Sequence, residues 1–260
     1  MEDYLDYVFP REGTRQFEPL SNNGCSAPVT PDRYLVSPAS VLRSPLLLYE
    51  FDETLPACRA EVVDLRRRFA DKPLILVSPS FGVDTVLWAA CERITDLVSL
   101  PAEQGYLRWL IQCVEKSLHT TGISSGPSGR KDLFPLWLAM PRAGLARRSA
   151  SVRQSLDHIH QHFNRKIRTQ DLATLSNMSL STFQRAFKNA LDLTCSDYVK
   201  TLRCHVAKQL LRHTHLQIGE IAYVTGFCDA SHFGRHFRSL VQEAPGEFRS
   251  RITKPAHRVA

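Results

Sequence analysis

The chain has 260 residues, of which 43% are hydrophobic and 23% are charged, a composition typical of globular proteins. No apolar run approaches the roughly 18 residues of a transmembrane helix, and the acidic start shows no signal-peptide pattern. We therefore expect a cytoplasmic protein that does not enter a membrane. Seven cysteines lie far apart without a Cys-x-x-Cys pair, which predicts reduced thiols that are mostly packed inside the protein.

Short apolar runs alternate with helical patterns in the N-terminal half, which predicts an α/β domain with a small parallel sheet. The predicted strands are 46–49, 74–77 and 96–100, and the predicted helices are 60–69, 84–94 and 103–117. A stretch rich in Gly, Ser and Pro then predicts a linker. The expected division is an irregular segment at 1–44, the α/β domain at 45–118, the linker at 119–148, an all-α domain at 152–251 and a tail at 252–260.

The positive charge is concentrated in the C-terminal part of the chain. Residues 151–260 contain 16 Lys and Arg against 8 Asp and Glu, whereas residues 1–150 contain 17 against 18. The net charge of +7 therefore comes from the C-terminal part. A local excess of this kind indicates a surface that meets phosphates.

Histidines occur on the first predicted helix of the C-terminal part. Its buried stripe is predicted to be Val152, Leu156, Ile159 and Phe163. His158 and His162 are one turn apart and His160 lies between them, but no nearby carboxylate or thiol completes a metal site. We therefore predict three solvated surface histidines, no metal site and no cofactor.

A helix, a glycine turn and a second helix follow one another between residues 218 and 240. Gly226 is predicted to form the corner, because glycine adopts positive φ without a Cβ penalty. Asp229 is expected to cap the second helix, whose buried face carries Phe233 and Phe237. An ordinary helical hairpin with a solvated basic face is the alternative interpretation of this segment.

A similar pattern lies 49 or 50 residues upstream, at 169–190. Thr169 is predicted to cap its first helix, Asn177 and Met178 to form its corner, and Ser179 to cap the helix 180–190. The recurring residues are Leu172-Ala173, Phe183, Arg185, Phe187-Lys188 and Tyr198, which match Ile221-Ala222, Phe233, Arg235, Phe237-Arg238 and Phe248. A helix, a sharp turn and a second helix are the pattern of a DNA-binding helix-turn-helix motif. Two such units predict contacts with two DNA grooves.

These motifs resemble the DNA-binding domain of AraC/XylS-type transcriptional regulators over residues 152–251. The matching residues are Asp171-Leu172-Ala173, Ser179, Phe187-Lys188, Ile218 to Ala222, Gly226-Phe227, Ser231-His232-Phe233, Phe237-Arg238, and Pro245 with Phe248-Arg249. The resemblance implies two helix-turn-helix motifs on a connecting helix, with recognition helices in successive major-groove segments. The sequence departs from the family at Asp192, Cys195 and Val241-Gln242, where Gly, Pro and an aromatic-Gly pair are usual.

The exposed residues of the two second helices are the candidate DNA contacts. They are Ser181, Thr182, Gln184, Arg185 and Lys188 in the first motif, and Ala230, Ser231, His232, Arg235 and Arg238 in the second. The resemblance implies base contacts from Ser181, Gln184 and Arg185. Arg can chelate guanine and Gln can chelate adenine in the major groove. Lys188 is expected to bind phosphate.

The connecting helix is predicted at about 197–212. Tyr198, Leu202, Val206 and Leu210 form one apolar stripe along it. A rigid helix of this length would hold two recognition helices roughly 34 Å apart, which is one turn of DNA.

The α/β part resembles, more weakly, the later two-thirds of a response-regulator receiver domain. Glu50 stands at the position of the phosphoacceptor Asp, Ser78 at that of the Ser/Thr switch residue, and Leu100-Pro101 at that of Lys-Pro. The resemblance implies a degenerate site that is not phosphorylated in the usual way. A generic α/β domain is the alternative.

The combined features predict a sequence-specific bacterial transcriptional regulator that binds double-stranded DNA and contacts RNA polymerase as an activator. The N-terminal domain is expected to mediate protein contact or homodimerisation; an effector pocket in that domain, or an architectural DNA-binding role, are the alternatives. An enzyme is not expected, since we find no catalytic residues, no nucleophile elbow and no phosphate-binding glycine loop.

Overall fold

The computed structural model describes residues 47–70, 72–99, 106, 107, 110 and 152–253. The predicted segment 1–44, the linker 119–148, Pro101 and most of the predicted helix 103–117 lie outside the described residues. The described chain divides into two compact units. One contains residues 47–81 and 94–99, and the other contains residues 82–93 and 152–253.

The first unit is built on a three-stranded parallel sheet, as the sequence predicts. Its strands are β1 (Leu47–Glu50), β2 (Leu74–Ser78) and β3 (Asp96–Ser99), in the order β1-β2-β3. Helix α1 (Pro56–Arg68) begins four residues earlier than predicted, because Pro56 occupies the first turn, where its missing N–H costs nothing. Every residue of β2 is buried, as expected of a central parallel strand.

The second unit is helical and contains α2 (Val83–Cys91) in addition to the C-terminal helices. These helices are α3 (Arg153–His162), α4 (Thr169–Leu175), α5 (Leu180–Leu191), α6 (Cys195–His213), α7 (Ile218–Val224), α8 (Ala230–Val241) and α9 (Pro245–Thr253). Helix α2 lies between β2 and β3 in the sequence, yet it packs against α3 and α6. The predicted stripe of α3 is buried, at Val152, Leu156, Ile159 and Phe163.

His160 is a core residue, and the prediction that it is a solvated surface side chain is wrong. Its side chain is only 3% exposed. Its Nδ1 donates to the carbonyl of Ala90 at 2.9 Å, and its Nε2 accepts from the hydroxyl of Tyr198 at 2.9 Å. Burial raises the pKa of that hydroxyl to about 12. His160 therefore bridges α2 and α6, a role that depends on residues distant in sequence.

The two helix-turn-helix copies repeat one another at the level of single hydrogen bonds. The corners are closed by Met178 N to Ala173 O and by Phe227 N to Ala222 O, both at 2.9 Å. The residue before each donor has positive φ, +52° at Asn177 and +83° at Gly226. The predicted corners are therefore confirmed.

Positive φ also recurs where α5 and α8 end. Asp192 (φ +57°) and Gln242 (φ +68°) adopt the left-handed conformation. Each donates its backbone N–H to a carbonyl four residues earlier, Lys188 O and Arg238 O, at 2.8 Å. The non-glycine residues at these positions thus preserve a helix end that glycine forms most easily.

The second corner requires glycine for two separate reasons. Gly226 has positive φ, and an added Cβ would lie 2.6 Å from the carbonyl oxygen of Asn164. We predict that Gly226→Ala lowers the free energy of unfolding by at least about 2 kcal/mol, because backbone strain and a backbone contact both oppose the methyl group. Urea unfolding followed by the helical circular dichroism signal measures this loss.

Gly234→Ala is the matched control, since Gly234 lies inside α8 and an added Cβ would meet nothing within 4 Å. This variant should gain up to about 1 kcal/mol from the higher helix propensity of alanine. Equal stabilities for the Gly226→Ala variant and the wild type would contradict the account of the corner.

Candidate nucleic-acid interface

Helix α5, which the sequence predicts to be the first recognition helix, presents the five predicted DNA-contacting side chains to solvent. Ser179 caps the helix by accepting from Thr182 N at 3.3 Å, as predicted. Phe183 and Phe187 are fully buried on the opposite face. The exposed side chains are Ser181, Thr182, Gln184, Arg185 and Lys188.

Helix α4, which precedes it, begins differently from the prediction. Thr169 is its first helical residue and Arg168 is the capping position, without a side-chain hydrogen bond. Arg168 is extended and Thr169 is already helical, so the predicted threonine cap is wrong by one residue.

The second recognition helix, α8, follows the same plan with one difference. Asp229 caps it by accepting from His232 N at 2.6 Å, and this backbone hydrogen bond is the main cause that lowers the pKa of its carboxyl group. Phe233 and Phe237 are buried. Ala230, Ser231, Arg235 and Arg238 are exposed, whereas His232 is half-buried.

Both ring nitrogens of His232 are occupied within the protein. Nδ1 lies 3.3 Å from Cys228 Sγ, and Nε2 lies 2.9 Å from His236 Nε2. Its ring also meets Phe227 edge-on, with ring centroids 5.6 Å apart. In this arrangement His232 contacts neighbouring residues at the start of α8, whereas the side chains of Ser231 and Arg235 are exposed.

Helix α6 holds the two recognition helices and is buried on nearly all sides. The predicted stripe of Tyr198, Leu202, Val206 and Leu210 is confirmed, and the neighbouring positions of the helix are buried as well. Thr194 caps the helix by accepting from Asp197 N at 3.1 Å. With 19 residues, it is about 28 Å long.

A family model described as a helix-turn-helix domain matches residues 172–251. Over 106 residues the chain is 34% identical to the HTH-type transcriptional activator RhaS of Enterobacter sp. (strain 638) and 33% identical to that of Citrobacter koseri. Each alignment covers 41% of this chain and 38% of the relative, so the chain spans less than half the length of these proteins.

Residues 172–251 form an AraC-type helix-turn-helix domain. The resemblance expected from the sequence is thereby confirmed for this part of the chain. A solved transcriptional regulator of Chromobacterium violaceum with an AraC-type DNA-binding domain is 26% identical; the alignment covers 43% of this chain and 99% of that one, with a TM-score of 0.40.

Arg203 on α6 contacts two separate parts of the helical unit, although no sequence pattern singles it out. Its Nε donates to Phe163 O and its Nη2 donates to Arg165 O, each at 2.7 Å. Its guanidinium group lies 5.9 Å from the centroid of the Phe227 ring, at the second corner. Burial lowers the pKa of Arg203. It therefore links the loop before α4 to the second corner.

The positively charged side chains of the AraC-type domain differ in their burial and in the groups that they contact. Arg238 on α8 lies 3.6 Å from Glu247, an exposed ion pair that contributes little to stability. Lys208 on α6 is buried and its Nζ lies 5.8 Å from the Phe248 ring centroid, so it serves packing. Arg185, Lys188 and Arg235 remain exposed on the recognition helices.

The described ranges contain neither a cluster of metal-ligating side chains nor a helix that could span a membrane. No group of three or more His, Cys, Asp and Glu side chains there is placed to hold a metal ion. No described helix is long and apolar enough to cross a membrane. Cys58, Cys195 and Cys204 are buried thiols, and burial raises the pKa of Cys195 to about 11 and that of Cys204 to about 12.

Proposed function

We propose that the protein is a sequence-specific transcriptional regulator whose two recognition helices enter adjacent major-groove segments of one DNA duplex. The observation that supports this most strongly is the duplication of α5 and α8. Each is 12 residues long, is capped by an oxygen side chain, buries two phenylalanines and exposes polar and cationic side chains. A recognition helix in a groove needs one apolar face and one polar face.

Direct base readout is assigned mainly to α5. Gln184 and Arg185 can each form two hydrogen bonds to one base, and Ser181 near the capped end can reach a further base edge. Lys188 lies one turn beyond Gln184 and is assigned to a phosphate, because a flexible ammonium group positions the helix without specifying a base.

The second helix is assigned a smaller share of base readout. Ala230 offers only a methyl group, and the ring nitrogens of His232 are occupied by Cys228 and His236. Ser231 and Arg235 are the remaining candidates for base contacts. Arg238 serves phosphate contact, because DNA can replace its exposed pairing with Glu247.

The N-terminal domain is assigned to protein contact or homodimerisation, and the chain to activation of transcription through contact with RNA polymerase. The relatives that match the AraC-type domain are named transcriptional activators.

Arg185→Ala should weaken binding to the preferred site by about 1–3 kcal/mol and relax preference at one base pair, because a bidentate base contact is lost. Lys188→Ala should weaken specific and random DNA alike and reduce the salt slope by about one. Fluorescence anisotropy with a site selected from random DNA, titrated over salt, measures both effects.

Arg153→Ala is the matched control, because Arg153 is exposed on α3, outside both recognition helices. It removes one positive charge and should leave base preference unchanged. Equal losses on specific and random DNA for Arg185→Ala would refute its base contact.

The sheet unit supports the proposal of a degenerate receiver site. Glu50 and Ser78 stand at the C-terminal ends of the neighbouring strands β1 and β2, where a receiver domain has its phosphorylation site. The carboxylate is carried by Glu, one methylene longer than the usual Asp, and Leu100 stands where the usual Lys would be.

Incubation of the full chain with acetyl phosphate and Mg²⁺ should therefore leave its intact mass unchanged. A receiver domain with its full acidic site, treated in parallel, controls for the activity of the reagent. A phospho-adduct that maps to Glu50 would contradict the degenerate assignment.

A further inference from the structure

A pair of imidazole rings lies on the second recognition helix, at positions one turn apart. His232 Nε2 and His236 Nε2 are 2.9 Å apart, and the planes of the two rings are 82° from parallel. Phe227 packs against both rings, with centroid distances of 5.6 Å and 6.2 Å, and so limits their rotation. Both histidines are half-buried, so solvent still reaches them.

The spacing of the two nitrogens suits ligation of one metal ion. Metal–imidazole bonds are about 2.0–2.1 Å long, so two nitrogens at a right angle around an ion are about 2.9 Å apart. A tetrahedral ion requires about 3.3 Å, which a small rotation of either ring supplies. The distance already suits the ion, and the rings chelate it once they turn so that both Nε2 lone pairs point at one position beside the line that joins the two nitrogens.

We propose that His232 and His236 form a two-histidine site for a divalent transition metal of the kind that neutral imidazole favours, such as nickel or zinc. The ion takes the place of the hydrogen bond between the two Nε2 atoms. Because no third His, Cys, Asp or Glu in the described ranges completes a cluster, water fills the remaining positions.

Cys228 is the nearest soft donor, but it faces the other side of the His232 ring. Its Sγ lies 3.3 Å from Nδ1 and also 3.3 Å from Asp229 Oδ2. The thiol therefore orients His232 so that Nε2 points towards His236, in the way that groups around a metal site commonly fix a histidine ligand.

The chain contains a second histidine pair with the same spacing and a different geometry. The rings of His158 and His162 on α3 are stacked, with centroids 4.3 Å apart and planes only 22° from parallel. Lone pairs in two nearly parallel, stacked planes do not converge on one ion. In addition, His162 Nδ1 donates to its own helix at His158 O, 3.0 Å away. This pair is the natural control.

The test uses Ni²⁺ alone, titrated into the full chain at pH 7.5 and followed by isothermal titration calorimetry. The wild type should show a site that His236→Ala weakens at least about tenfold, because one of two protein ligands is lost. His162→Ala should leave this site unchanged. Circular dichroism establishes that the His236→Ala variant is folded, and His232→Gln provides a second variant with the same expected loss.

Two results would overturn the proposal. One is Ni²⁺ affinity that is the same in the wild type and the His236→Ala variant. The other is a site that Cys228→Ser abolishes while His236→Ala leaves it intact, which would identify the thiol as the ligand. Because no DNA is present, the outcome is independent of the proposed function.

Discussion

An aromatic contact fixes each recognition helix to the helix that follows it. Phe187 on α5 meets Tyr198 on α6 edge-on, and Phe237 on α8 meets Phe248 on α9 in the same way, with centroids 5.7 Å apart in both copies. These rings are buried and belong to the apolar faces opposite the exposed cations. The direction in which each polar face points therefore depends on how its aromatic face is packed.

The two helix-turn-helix copies differ in how closely other backbone atoms approach their corners. Asn177 can occupy the first corner at positive φ, since asparagine tolerates that conformation. The second corner passes so close to the Asn164 backbone that only glycine fits. Arg203 closes the same region by binding the carbonyls of Phe163 and Arg165 and facing Phe227. The second motif is therefore tied to the loop before the first, which couples their orientations.

Apolar periodicity and capping residues made α5, α8 and the three parallel strands predictable from the sequence, because these features act over a few residues. His160 and Arg203 were not predictable in this way. Their partners lie 70 and 40 residues away, at Ala90 and Phe163, and polar residues carry no period that marks them as buried. The packing of α2 against α3 and α6 likewise depends on tertiary contact, since its sequence reads as an ordinary crossover helix. Helical periodicity predicted which candidate DNA-contacting residues are exposed. It did not predict that Cys228 and His236 contact the ring nitrogens of His232.

We propose that one chain uses both recognition helices on one duplex. Hydroxyl-radical footprinting of the full chain on a single asymmetric site, selected from random DNA, tests this proposal. We expect two protected segments on the same face of the duplex, with centres about one helical turn, roughly 10 base pairs, apart. A single protected segment, or protection that extends evenly without a selected sequence, would contradict it.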